Sequence, residues 1–269
     1  MIILLGALAI VLGALYVVQR KLIYFPNRMS RAEFEATVNG SFGDRVSVLA
    51  PFDAAVFEPP NVSIVGTAIF FHGNAGLGLD RAYLVPSFAR RGLRLVLAEY
   101  PGYGPRQGKP SEKALVNDAN AFYEHVSLAY PDTPILLVGE SLGSGVAVQV
   151  AATQMTRRPS RLVLLTPFLS LAETAARAYP LLPVRFLVRD RFDSARDLPR
   201  YGGVVAILVA GNDQVVGAEQ GRALAQISRS RGETVVVELP EAGHNSWSAL
   251  ITDAQWTDLL GVSALVGRP

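Results

Sequence analysis

The 269-residue sequence contains no cysteine. Disulfides, thiolate metal sites and a cysteine nucleophile are thereby excluded. Histidine is scarce, at positions 72, 125 and 244, so imidazole chemistry has few candidates. Charge is sparse as well: 18% of residues are charged and the formal net charge is +2. Without a basic stripe, nucleic acid is not an expected partner. Repeats, low-complexity tracts and long linkers are missing, which leaves no sign of a solenoid or a string of domains. Half of the residues are hydrophobic, enough for a sizeable core and too many for wholesale disorder.

What is present begins with an uncharged run, IILLGALAIVLGALYVVQ, from Ile2 to Gln19. As a helix it spans roughly 27 Å, close to the thickness of a bilayer's hydrocarbon core. Arg20 and Lys21 follow, then Leu22-Ile23-Tyr24-Phe25, which suits an interfacial anchor. A cleaved signal peptide is the competing reading, but basic residues ahead of the run and a small-residue cleavage site after it are both missing. Residues 1–25 are therefore expected to be an uncleaved transmembrane anchor, and residues 26–269 one folded domain. Arg20, Lys21, Arg28 and Arg31 all follow the run, and the positive-inside rule then leaves the C-terminal domain in the cytoplasm.

Beyond Pro26, short apolar runs alternate with longer amphipathic stretches. The runs cover 64–71, 93–100, 134–139, 161–166, 204–210 and 234–239, each nearly continuous in apolar residues, as in strands buried on both faces. Helices are expected around 80–91, 111–129, 142–155, 216–231 and 246–260, with Ser111 as an N-cap. This alternation implies an α/β fold with a mostly parallel central sheet and helices on both faces. Residues 45–58 are expected to supply antiparallel leading strands, which makes 161–166 the sixth strand. Residues 167–200, with four prolines and no clean strand, then form a short cap-like insertion after it. Ligands of open α/β sheets bind beyond the strands' carboxyl ends, so the insertion falls where a cap would sit.

LLVGESLGSG, residues 136–145, sets Ser141 between glycines where a strand gives way to a helix. A hydroxyl at such a turn projects above the sheet at a helix N-terminus, which favours developing negative charge. Serine needs a base to become a nucleophile. In the chain order serine, acid, histidine, only His244 follows Ser141. His125, inside a helical stretch, reads as a partly exposed helix residue. Asp213, at the end of the strand before the histidine strand, is the preferred acid, with Glu238, Asp190 and Asp193 as competitors. Oxyanion donors are expected from the main-chain N–H of Leu142 and from the loop in FFHGNAG, at Asn74 first and Ala75 as the alternative. His72 then braces that loop.

RKLIYFP (20–26), FHGNAG (71–76), EYPGYG (99–104), GESLGSGVAV (139–148), PFLSL (167–171), RDRFDS (189–194), GNDQVV (211–216) and GHN (243–245) together resemble the α/β-hydrolase superfamily. The likeness runs from about Gln19 to the C-terminus. It is greatest to the branch of membrane-anchored serine hydrolases that includes the abhydrolase-type depalmitoylases. It implies the α/β-hydrolase fold, a triad of Ser141, Asp213 and His244, and no cofactor or metal. Two positions depart from the family's habit: Pro105-Arg106 after GYG, where a serine is common, and Gly217 after VV, where a proline is common. The expected activity is hydrolysis of esters or thioesters, of a small-molecule or lipid-like substrate or an acylated protein. A peptidase using the same triad and a non-catalytic membrane scaffold are the alternatives.

Overall fold

The computed structural model describes residues 2–42, 45–154 and 157–266, apart from the side chains of 2–9, 11, 41, 42, 264 and 266. Its centre is a sheet of eight strands: β1 (Val46–Leu49), β2 (Ala54–Phe57), β3 (Gly66–Phe71), β4 (Leu93–Leu97), β5 (Ile135–Glu140), β6 (Arg161–Leu165), β7 (Val204–Ala210) and β8 (Thr234–Leu239). Their order across the sheet is β1-β2-β4-β3-β5-β6-β7-β8. Strands β1 and β2 pair antiparallel with each other, as do β2 and β4, and all other neighbours are parallel. The leading strands expected over 45–58 are thus present.

The apolar runs are continuous because both sheet faces are covered. Ile69, Leu137, Leu162, Leu164 and Ile207 pack to one side with α4 (Glu112–Ala129), α5 (Leu142–Thr153) and α9 (Ala218–Arg229). Their alternate neighbours Ala68, Phe70, Leu136, Val163 and Leu208 pack to the other, with α2 (Arg31–Phe42), α3 (Val85–Ala89) and α11 (Asp253–Leu260). Side chains of successive strand residues point to opposite faces, so a strand buried twice cannot spare polar positions. Edge strand β8 can, and Glu238 there is exposed and paired with Arg222.

Helix boundaries depart from the sequence expectation in three places. The stretch 80–91 forms a 3₁₀ segment over Leu79–Leu84 before the short α3. The stretch 246–260 splits into α10 (Trp247–Leu250) and α11, because Ile251 is extended and Thr252 opens a new helix in a reciprocal capping box with Gln255. Helix α2 was not expected. Its start carries the same box, with the Glu33 N–H donating to Ser30 Oγ and the Ser30 N–H to Glu33 Oε2, and it buries Phe34 and Val38. The spacing in SRAE is the signal that would have found it.

Between β6 and β7 lie the short helices α6 (Leu171–Ala178), α7 (Val184–Leu187) and α8 (Ser194–Asp197), in the position expected of a cap. At the N-terminus, α1 (Ile2–Ile23) is helical as expected. Most side chains of its first half lie outside those described. Among the described residues no helix is long and apolar enough to cross a membrane.

Candidate active site

The chain goes from β3 to β4 on one side and then returns to β5 on the other, so a crevice opens beyond β3 and β5. Gly139-Glu140-Ser141-Leu142-Gly143 forms the turn from β5 into α5 at that crevice. Ser141 has φ 51° and ψ −117°, a conformation that L-residues rarely adopt and that persists only when the surroundings enforce it. The enforcement is visible. A Cβ on Gly139 would lie 2.4 Å from the Gly143 carbonyl oxygen, and one on Gly143 only 2.0 Å from that of Phe71. Glycine at both positions lets β5, α5 and the end of β3 converge, and the Ser141 N–H is held by the Leu165 carbonyl at 2.9 Å.

The three residues far apart in sequence meet here. His244 Nε2 lies 2.9 Å from Ser141 Oγ, and His244 Nδ1 lies 2.6 Å from Asp213 Oδ2. With the Nδ1 proton assigned by its carboxylate neighbour, Nε2 is free to accept from the serine hydroxyl. The other Asp213 oxygen accepts from the N–H groups of Val215 (2.8 Å) and Val216 (2.9 Å). Burial alone would raise the Asp213 pKa. The His244 hydrogen bond and charge, with those two N–H groups, outweigh it and hold the carboxyl below its ordinary value.

The competing acids are engaged elsewhere. Asp190 is buried and binds Arg20 and Tyr24, Asp193 caps α8, and Glu238 pairs with Arg222. His125 is half-buried on α4 and packs against Phe52. His72 is fully buried, with Nε2 3.1 Å from Glu99 Oε1 and its own carbonyl accepting from Tyr100 Oη. It braces the 72–76 loop, as the sequence suggested.

That loop is tied on both sides. The Asn74 side-chain amide donates to the Ile23 carbonyl at 2.8 Å, while its main-chain oxygen accepts from the Phe25 N–H (2.9 Å) and Tyr103 Oη (2.8 Å). Residues Phe25–Pro26 and Ala75–Gly76 pair as a two-residue parallel ribbon. One donor of the Asn74 side chain is thus used, and its main-chain N–H is the candidate donor to a ligand. Leu142, first residue of α5, likewise offers an N–H with no helical partner.

The crevice is a cavity of about 450 Å³ with Ser141, Leu142, His244, Gly73 and Asn74 in its lining. Its remaining walls are largely apolar and come from the cap and from α1. Two contributions escaped the sequence reading. Arg81 Nε binds Glu140 Oε2 at 2.8 Å beside the serine, and Leu15, Tyr16, Gln19, Leu22 and Ile23 of α1 line the cavity. A more open depression of about 680 Å³ lies at the opposite end of the strands, around Tyr123, Arg157 and Glu233, and its lining includes no histidine. Among the described residues no group of three or more His, Asp or Glu side chains is placed to hold a metal.

Comparison with known proteins agrees with this architecture. Over 242 residues the chain is 35% identical to an uncharacterized protein of Mycobacterium tuberculosis, covering 84% of this chain and 80% of that one. Residues 63–193 match the family described as "Serine aminopeptidase, S33". The chain belongs to the α/β-hydrolase superfamily, in its abhydrolase branch. It is an enzyme of the hydrolase class. It is 29% identical to the lysophosphatidylserine lipase ABHD12 of Danio rerio, a match over 65% of this chain and 50% of that one. The fold is shared with Est1E of Butyrivibrio proteoclasticus, solved with ferulic acid, at a TM-score of 0.65 and 19% identity over 78% of this chain and 95% of that one. It is shared also with the esterase Pf2001 of Pyrococcus furiosus, at 0.63 and 16% over 89% and 95%.

Both departures from the family's habit have local reasons. Gly217 has φ 98°, which proline cannot adopt. Arg106 forks onto Asp118, donates to the Glu99 carbonyl and lies over the Phe52 ring.

The depressed Asp213 pKa makes a pH-dependent contribution to stability. A carboxyl whose pKa is lowered on folding stabilises above its unfolded value, near 3.8, and loses that contribution as pH falls through the folded value. Asp213→Asn removes it. Urea titrations are expected to show a stability gap between wild type and Asp213→Asn at pH 7 that narrows below about pH 4; a gap that stays constant or widens contradicts this.

Proposed function

We propose that the protein is a membrane-anchored serine hydrolase that cleaves carboxylic ester or thioester bonds through an acyl-enzyme on Ser141. The observation that carries this reading is the unbroken relay from Ser141 Oγ through His244 to Asp213 at the base of an apolar cavity. His244 Nε2 takes the hydroxyl proton as Ser141 attacks the carbonyl carbon, and Asp213 offsets the charge of the resulting imidazolium. The N–H groups of Leu142 and Asn74 donate to the oxyanion, and one such donor is typically worth roughly 10²–10³ in turnover. The imidazolium then protonates the leaving group, and water, activated by the same imidazole, releases the acyl group.

The nature of the cavity favours an ester with a fatty chain. Within its lining, Glu140 is the one acidic side chain, and Arg81 neutralises it. A free carboxylate to hold the amino terminus of a peptide is therefore missing from the described lining, which weighs against an aminopeptidase despite the family's description. The lipase ABHD12 of Danio rerio, though matched over only half its length, points the same way, towards lysophospholipid-like substrates. Anchoring belongs to the same reading. It is supported by the uncharged run from Ile2 to Gln19 with Arg20 and Lys21 after it, and by the exposed Ile10, Val17 and Leu22 of α1. The catalytic domain then faces the cytoplasm.

Ser141→Ala is expected to lower turnover of p-nitrophenyl butyrate by as much as ~10⁶-fold, the scale set by removal of the serine in a triad. Hydrolysis by Ser141→Ala at the wild-type rate overturns the mechanism. After alkaline carbonate washing the full chain is expected in the membrane pellet; recovery in the supernatant contradicts the anchor.

A further inference from the structure

The cavity has two apolar walls, and one of them is the N-terminal helix. Across from the cap residues Leu171, Ala175 and Leu187 stand Leu15, Leu22 and Ile23 of α1. We propose that the acyl chain of the substrate lies between α1 and the cap, so that the helix which tethers the enzyme also sets its acyl-chain preference. The proposal rests on the ester-hydrolase reading and deepens it.

Three observations support this role. First, the wall is fixed, as a specificity wall must be. Arg20 forks onto Asp190, with Nε 2.8 Å from Oδ2 and the second contact to Oδ1 at 3.0 Å, and Tyr24 Oη donates to the same carboxylate at 3.1 Å. Asp190 is 3% exposed, so the carboxylate end of these charge-assisted bonds is shielded from water, while Arg20 stays partly exposed. Gln19 spans the same seam, accepting from the Arg189 N–H at 2.8 Å and donating to the Leu187 carbonyl at 3.1 Å. Second, α1 presents hydrocarbon to the cavity. The amide of Gln19, its one polar group other than the Tyr16 hydroxyl, is already used at both ends by the cap backbone. A fatty chain loses nothing against such a wall, whereas a polar head group there would give up hydrogen bonds to water without replacement. Third, the wall adjoins the reacting centre: the Ile23 carbonyl, in the last turn of α1, holds the Asn74 amide. An acyl group whose carbonyl carbon sits at Ser141 therefore has the end of α1 beside it and the rest of the helix leading away.

The test compares kcat/KM for p-nitrophenyl laurate and p-nitrophenyl butyrate on the full-length chain in detergent. Leu15→Trp narrows the space between the walls and is expected to lower the laurate-to-butyrate ratio by about tenfold or more, the scale at which pockets discriminate by size. Leu22→Trp, at a position 55% exposed where an indole fits without core disruption, gives a second reading and should lower the ratio in the same direction. Ile10→Trp, on the same helix but away from the cavity, should leave the ratio unchanged. A ratio within twofold of wild type in both Leu15→Trp and Leu22→Trp overturns the proposal, as does an equal fall in all three variants. Wild-type protein that hydrolyses neither ester overturns the underlying hydrolase reading instead, and the two failures are told apart by that control.

Discussion

The site depends on a single close approach: the backbone of α5, at Gly143, comes so near the end of β3 that there is no room for even one methyl group. That approach twists Ser141 into its strained φ of 51° and aims its hydroxyl out of the turn. The same contact brings the N-terminus of α5 beside the 72–76 loop, so Ser141 and the main-chain N–H groups of Leu142 and Asn74 are positioned by one packing event. Strain of this kind costs of the order of 1–3 kcal/mol and survives only because a large buried sheet surrounds it. Phe70, Phe71, Leu137 and Val138, all essentially without solvent contact, supply that support.

From that point the loop carrying Asn74 is held from three directions. Beneath it, His72 pairs with Glu99 and the Tyr100 hydroxyl reaches the His72 carbonyl. To one side, Tyr103 donates to the Asn74 carbonyl. Above, the end of α1 and the strand-like pair Phe25–Pro26 complete the enclosure. In the proposed mechanism, donors aimed in advance at a developing oxyanion cost no reorganisation during reaction, and rigidity of the loop preserves the aim. The N-terminal segment is thus part of the site's framework, bonded at once to the loop and, through Asp190, to the cap.

Much of this was legible in the sequence, for specific reasons. The central strands stand out because they are buried on both faces and so could not alternate with polar residues. Ser141 stands out through flanking glycines at a strand-to-helix change, and His244 because the chain has so few histidines that order alone nearly assigns it. Asp213 remained among competitors until each of the others was found bound elsewhere: Asp190 to Arg20, Asp193 at a helix start, Glu238 on an edge strand. What stayed hidden depends on contacts between distant segments. Nothing in the pattern around Arg81 announces that it neutralises Glu140, 59 residues on. Nor does an uncharged run at the N-terminus reveal that one of its faces lines a cavity. Helix α2 and the break at Ile251 are hidden for a local reason, since a capping box opens a helix without leaving a mark on the hydropathy pattern.

The central claim, that Ser141 is a nucleophile activated by His244, is tested most directly by covalent capture. Treating the purified full-length protein with a fluorophosphonate and weighing it intact should give a single adduct, which peptide mapping places on the segment containing Ser141. His244→Ala should slow its formation sharply while the protein stays folded. No adduct on the wild-type protein, or an adduct on any other residue, would contradict the account.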